Sequence, residues 1–143
     1  MIFLSRKEKF SAAHKLYNPA WSDKKNSKIY GICSNNNWHG HNYELIVTIK
    51  GDINLEDGMV INLKIQSKII KLEIIDKVDH KNLNLDVPFL KNVITTTENV
   101  VIKFWEVLDD KIDSLGIPSC KLHSIKLYET PKNFIEYYGP IEK

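Results

Sequence analysis

From His39 to Lys50 the side chains alternate without interruption, and this run limits the possible folds more than any other stretch of the chain. The odd positions read His39, His41, Tyr43, Leu45, Val47 and Ile49, whereas the even ones read Gly40, Asn42, Glu44, Ile46, Thr48 and Lys50. A period of two is that of a β-strand with one buried face. Gly51-Asp52 ends it. The first segment, Ile2 to Ala13, alternates more loosely, and its even positions Ile2, Leu4, Phe10 and Ala12, followed by His14, share one face. Between the two strands, Tyr17 to Asn37 carry Asn18-Pro19, Ser22-Asp23, Lys24-Lys25 and Asn35-Asn36-Asn37, which reads as a long surface loop. Loops of that length in compact domains are often functional.

Helical spacing replaces alternation after Asp57-Gly58. Ile65, Ile69, Leu72 and Ile75 form a stripe that Ile70 and Ile74 widen, with Asn62 as N-cap. A second helix opens at Thr95-x-x-Glu98, which has the form of a capping box. It buries Val100, Val101, Phe104, Trp105, Leu108, Ile112 and Leu115, and stops at Gly116 and Pro118. Two strands close the chain: His123, Ile125, Leu127 and Glu129 share a face, Thr130-Pro131 turns, and Phe134 to Tyr138 return. The order strand, strand, helix, helix, strand, strand predicts an α+β architecture, a four-stranded antiparallel sheet with two helices on one face. Its 143 residues suit one domain, residues 1–143, and the open sheet edges suit pairing between subunits.

Composition removes several classes of function. Twenty cations against 18 anions leave a net charge of +2, too little for a nucleic-acid or membrane surface, and Arg6 is the one arginine. No nucleic-acid or membrane partner is expected. Two cysteines, Cys33 and Cys120, and the lack of a signal-like start suggest a reducing compartment, so the protein is expected to be soluble and cytoplasmic.

His39-Gly40-His41 is the strongest local feature. Both imidazoles project from one face of the strand, about two rises of 3.3 Å apart, near enough to hold two corners of one metal ion. If the first two strands pair, His14 adds a third nitrogen, and three histidines with an open fourth position is the arrangement of catalytic zinc. Strand histidines are, however, more often hydrogen-bonded surface or core residues than ligands. Cys33 stands in the polar loop, where a nearby dication would lower its pKa and make a thiolate base or nucleophile available; as a fourth ligand it would instead close a structural zinc site. Asp79-His80 by itself reads as a solvated turn. Glu129, on the Ile125 and Leu127 face, needs a donor-rich partner or a strand end, and a bound heterocycle with adjacent N–H groups would satisfy it.

Taken in order, Phe10 to His14, Tyr30-Gly31-Ile32-Cys33, His39-Gly40-His41-Asn42-Tyr43, Gly58 to Leu63, Asp79 to Leu83, Asp86-Val87-Pro88, Thr96 to Val100 and Glu129 give the chain its likeness to known proteins. It resembles the 6-pyruvoyltetrahydropterin synthase family over nearly its full length. The resemblance implies the tunnelling fold, in which subunits join their sheets into a barrel as trimers and two trimers stack into a homohexamer with intersubunit active sites. It implies Zn2+ on His14, His39 and His41, and 7,8-dihydroneopterin triphosphate as substrate. Cys33 matches the proton-abstracting residue and His80, oriented by Asp79, the proton relay. Glu129 matches the anchor of the pterin ring, and Thr96 and Thr97 line its pocket. The implied activity is a lyase of tetrahydrobiopterin biosynthesis that eliminates triphosphate. Within the family the alternative is 6-carboxytetrahydropterin synthase of queuosine biosynthesis; the five residues between Cys33 and His39 and the long Tyr17 to Tyr30 segment favour the pyruvoyl enzymes. A non-catalytic zinc- and pterin-binding assembly protein is the alternative of another class. The chain departs from the pattern at Ile65, where an acidic residue is common, and at Trp38, where a small one is common and where an indole would narrow the pocket.

Overall fold

The two alternating runs form one long antiparallel pair in the computed structural model, which describes residues 1–141. Strand β1 (Ile2–His14) and strand β2 (His39–Gly51) are in register from Ile2 opposite Gly51 to His14 opposite His39. Phe10, Ala12 and His14 therefore share a buried face with Tyr43, Leu45, Val47 and Ile49, as the alternation requires. Helix α1 (Asp23–Tyr30), helix α2 (Leu63–Ile70), strand β3 (Lys81–Asn82), helix α4 (Thr97–Asp113) and strands β4 (Lys121–Tyr128) and β5 (Phe134–Tyr137) complete the main elements. A short α3 (Asp76–Val78) continues α2 through a π-turn at Lys71–Ile75.

The sheet has five strands, in the order β3-β1-β2-β4-β5, and not four. The added strand, β3, is only two residues long and runs parallel to β1 at Ala12 and Ala13. No periodicity could announce it. It exists because the chain leaving α3 is pinned to β1: His80 N–H donates to Ser11 O at 2.7 Å and Leu83 N–H to Ala13 O at 2.8 Å.

Helix α4 lays Val100, Val101, Phe104, Trp105, Leu108 and Ile112 against the sheet, the expected face. Its cap lies one residue beyond the expected box. Thr96 Oγ1 accepts from Asn99 N–H at 3.3 Å, while the Thr95 hydroxyl is buried and donates toward Asn84 Oδ1 and Lys15 O. Asn62 caps α2 as expected, accepting from Lys64 N–H at 2.9 Å. The buried line of that helix is different, however: Gln66, Ile70, Ile74 and Val78 face inward, and Ile65 and Leu72 are 41% and 47% exposed. On a regular α-helix every fourth residue drifts about 40° per step. The π-turn, with its i→i+5 bonding, takes up that drift and keeps the inner line on the core.

The register between β2 and β4 shifts between Thr48 and Ile49, so Leu122 opposes Ile49 and Ser124 opposes Thr48. This bulge reverses the expected parity at His123. Leu122 enters the core in its place, and the His123 ring packs on Phe3 (4.5 Å between centroids) and Tyr138 (5.6 Å).

The expected loop Tyr17 to Asn37 holds α1 and a 3₁₀ turn at Gly31–Ser34. Its organiser is Asn26, which is 1% exposed. The Asn26 carboxamide accepts from Asn18 N–H at 2.7 Å and donates to Asn18 O at 3.0 Å and to Ser22 O at 3.1 Å. The segment is thus folded around one amide, and its far end is tied back by Leu16 N–H donating to Cys33 O at 2.8 Å. Among the described residues no helix is long and apolar enough to cross a membrane.

Candidate metal centre and active site

Strand pairing assembles the three histidines. His14 ends β1 directly opposite His39, and His41 lies two residues along β2 on the same face. The ring centroids are 4.6 Å apart for His14 and His39, 5.0 Å for His39 and His41, and 5.1 Å for His14 and His41. One ring nitrogen from each lies within 4.8 Å of the others.

The polar atoms indicate what such a cluster is for. His14 is 1% exposed, and its Nδ1 lies 2.9 Å from Thr95 O. A carbonyl only accepts, so Nδ1 carries the proton and Nε2 keeps its lone pair. Nε2 of His14, Nδ1 of His39 and Nε2 of His41 are all buried without a hydrogen-bond partner. Each such atom costs about 1–3 kcal/mol if left unsatisfied, and three of them converging fit a divalent cation. The carbonyl behind His14 is the usual outer support of a metal-bound imidazole. Imidazole nitrogens suit zinc and its first-row neighbours. Cys33 is absent from the group, so the closed site of three histidines and one cysteine is not formed.

Burial pushes the His14 pKa from 6.5 down to about 4, and burial followed by the neighbouring His41 lowers that of His39. Both stay neutral near pH 7, the form that binds metal. Between pH 6.5 and about 4 the unfolded chain takes up a proton that folded His14 refuses. The metal-free protein should therefore lose about 3 kcal/mol of stability as pH falls through this window. Urea unfolding of chelator-treated protein at pH 7 and pH 4.5 measures it; equal stabilities would contradict the buried neutral imidazole.

Glu129 follows β4, and its carboxylate accepts from Thr97 Oγ1 at 2.6 Å, with Oε1 3.6 Å from His41 Nε2. Thr97 opens α4, so the carboxylate also faces the positive end of a 17-residue helix. A cleft of about 480 Å³ lies beside them, lined in part by Leu16, Thr96, Glu98 and Lys132. Trp38, expected to narrow the pocket, is not among its lining residues.

Asp79 and His80 form a contact pair and not merely a solvated turn. Asp79 Oδ1 accepts from Ser11 N–H at 2.9 Å and lies 3.0 Å from His80 Nδ1. The Ser11 N–H, and then His80, hold the Asp79 pKa below its usual value. His80, at a φ of 59° and with its side chain 83% exposed, presents its imidazole outward. The pair borders a second cleft of about 740 Å³ together with Lys9, Ser11, Asn42 and Tyr128. In one chain Thr96, Thr97 and Glu129 line one cleft, with the histidine cluster reaching it through His41 beside Glu129, while Asp79 and His80 line another; His41 and His80 also border a third cleft of about 490 Å³. Cys33 is half-buried in its 3₁₀ turn.

Sequence reasoning missed Thr95, whose contribution is a backbone carbonyl and leaves no side-chain signal. It also missed Tyr43, stacked on Phe10 at 4.7 Å and 5.6 Å from the His41 ring, whose phenol pKa burial drives upward.

Comparison with known proteins identifies the family and the backbone. The profile of the family described as 6-pyruvoyl tetrahydropterin synthase matches residues 3–140. A 6-pyruvoyl tetrahydrobiopterin synthase from Pongo abelii is 44% identical over 136 residues, covering 95% of this chain and 90% of the relative. The solved structure of Caenorhabditis elegans 6-pyruvoyl tetrahydropterin synthase superposes with a TM-score of 0.88 at 37% identity, covering 97% and 96% of the two chains. A 6-carboxy-5,6,7,8-tetrahydropterin synthase from Haemophilus influenzae is 28% identical over 130 residues, covering 75% of this chain and 84% of the relative. With a profile match along nearly its whole length and the same backbone, the chain belongs to the 6-pyruvoyl tetrahydropterin synthase family of enzymes.

Proposed function

We propose that residues 1–143 form one zinc-dependent lyase domain that converts 7,8-dihydroneopterin triphosphate to 6-pyruvoyl-5,6,7,8-tetrahydropterin, releasing triphosphate, in tetrahydrobiopterin biosynthesis. The observation that carries the reading is the convergence of three unpartnered imidazole nitrogens beside the Glu129 carboxylate. His14, His39 and His41 are the residues that would hold Zn2+. When bound there, the ion supplies Lewis acidity toward the side-chain hydroxyls of the substrate and so acidifies the adjacent C–H bonds.

The protein groups divide the remaining work. Glu129, steadied by Thr97, accepts hydrogen bonds from the amino and ring N–H groups of the pterin, with Thr96 beside it. Cys33 is the base that removes a side-chain carbon proton. His80, oriented through Nδ1 by Asp79, returns protons as the side chain is oxidised at the expense of the ring, a shift within one molecule that needs no external oxidant. The C–O bond to triphosphate then breaks as the enol becomes the pyruvoyl group. Because Asp79 and His80 border a different cleft from Glu129 in one chain, we assign the complete site to two subunits of a hexamer built as a dimer of trimers. The free cysteines fit a cytoplasmic setting.

Incubating zinc-loaded protein with 7,8-dihydroneopterin triphosphate tests the reading. Equimolar triphosphate and 6-pyruvoyltetrahydropterin are expected by chromatography. A 6-carboxy product with release of acetaldehyde would overturn the product assignment, and no turnover would overturn the reaction.

A further inference from the structure

One residue pair beyond the histidines is built for charge. His14 stands opposite His39, so the next residues outward are Lys15 and Trp38. The Lys15 backbone is fixed on both sides of its Cα. Its N–H donates to Asn84 Oδ1 at 3.1 Å, and its carbonyl accepts from Asn84 Nδ2 at 3.0 Å and Thr95 Oγ1 at 3.3 Å. The half-buried side chain lies over the Trp38 ring, with Nζ 4.6 Å from its centroid and 5.5 Å from that of Tyr17. Among the described residues no carboxylate pairs with it. Lys126, which also lies over two rings, differs in having Glu136 3.6 Å from its Nζ.

Trp38 holds its place under strain. Its φ is 66°, in the left-handed region where a bulky residue is an outlier and glycine is at ease. An outlier kept beside a site is a reason to look for its use. Here the use is a platform: the indole face holds the ammonium group by cation–π attraction, while the N–H donors turned away from the ring stay available.

Charge decides the direction in which an anionic arm leaves the site. Glu98 and Glu129 line the cleft next to His41, where Lys132 is offset by both carboxylates. That end suits the N–H donors of a pterin ring and repels a triphosphate. On the placement proposed above, with the ring at Glu129 and the side chain at the three histidines, the triphosphate extends toward the end of the β1–β2 pair, which Lys15 follows directly after His14. On the reaction proposed above, we infer that Lys15 is the cation that recognises the substrate's triphosphate, and that Trp38 is a positioning residue acting through it.

Calorimetric titration of inorganic tripolyphosphate into the zinc-loaded protein tests this. Lys15→Gln should weaken binding about tenfold or more, the effect expected of a lost charge-assisted hydrogen bond. Lys15→Arg should restore most of it, and Trp38→Gly should weaken it roughly threefold. In turnover, Lys15→Gln should raise KM for the triphosphate substrate more than it lowers kcat, while the Kd for 7,8-dihydroneopterin, which has the same ring and no phosphate, moves less than about twofold. Equal tripolyphosphate binding by wild type and Lys15→Gln overturns the inference, as does no binding by the wild type or a larger loss in Lys132→Gln. The titration does not depend on turnover. If the wild type failed to convert the substrate and Lys15→Gln still lost tripolyphosphate, the anion site would stand and the reaction would not.

Discussion

The Cys33→Ala protein is expected to bind zinc as the wild type does and to lose kcat by roughly 10²–10⁴-fold, the range for removing a positioned base. The two effects separate because Cys33 is not part of the group formed by His14, His39 and His41. Its carbonyl, not its side chain, ties the loop to Leu16 N–H, so the alanine variant keeps that anchor and the Asn26 network behind it. Metal content by atomic absorption, thermal midpoint and steady-state turnover are the measurements. Loss of zinc or of several degrees of thermal midpoint would show Cys33 to be a structural ligand instead.

His14→Ala is expected to do the reverse and to reach further. Removing one of three nitrogens takes about a third of a zinc-binding free energy of roughly 10–16 kcal/mol, which corresponds to an affinity lower by about 10³-fold. Stability falls as well, even without metal. The substitution empties a buried site and strips Thr95 O of its donor, together about 2–4 kcal/mol. His39→Ala, at a less buried position, should share the loss of zinc with a smaller loss of stability. Zinc titration against a chromophoric chelator and urea unfolding of the metal-free proteins read the two effects apart. Full zinc binding by His14→Ala would remove the metal centre from the mechanism.

The sequence made the histidine cluster legible because its rule is simple: residues two apart on a strand share a face, and pairing brings His14 to the same face. The inner face of α4 was legible for a similar reason, since its apolar residues recur at helical spacing over a long run. Glu129 looked misplaced among Ile125 and Leu127, and the misplacement was informative. What escaped obeys forces that leave no periodic trace. Helix α1 buries only Asn26, so hydrogen bonds to the loop backbone define it where apolar burial does not. The cap moved from Thr95 to Thr96 because the Thr95 hydroxyl is engaged with Lys15 and Asn84. His123 was put on the wrong face because a bulge in the pairing of β2 with β4 adds a residue that alternation cannot count. The proximity of Asp79 to His80 was visible as a dipeptide, but its anchorage to Ser11 is a long-range backbone contact.

The π-turn at Lys71–Ile75 carries a last consequence, because it means that this stretch stores information in its length more than in its letters. Each residue of an α-helix advances the chain by about 100°. Because the π-turn already absorbs one residue, inserting another between Lys71 and Ile75 would leave charge and hydropathy almost untouched, yet would swing whatever follows by more than a quarter of a revolution. Asp79 would then miss Ser11, and the imidazole of His80 would point elsewhere. Substitutions on the outer side of this helix should pass almost unnoticed, whereas a single-codon insertion would act as a mistimed gear tooth.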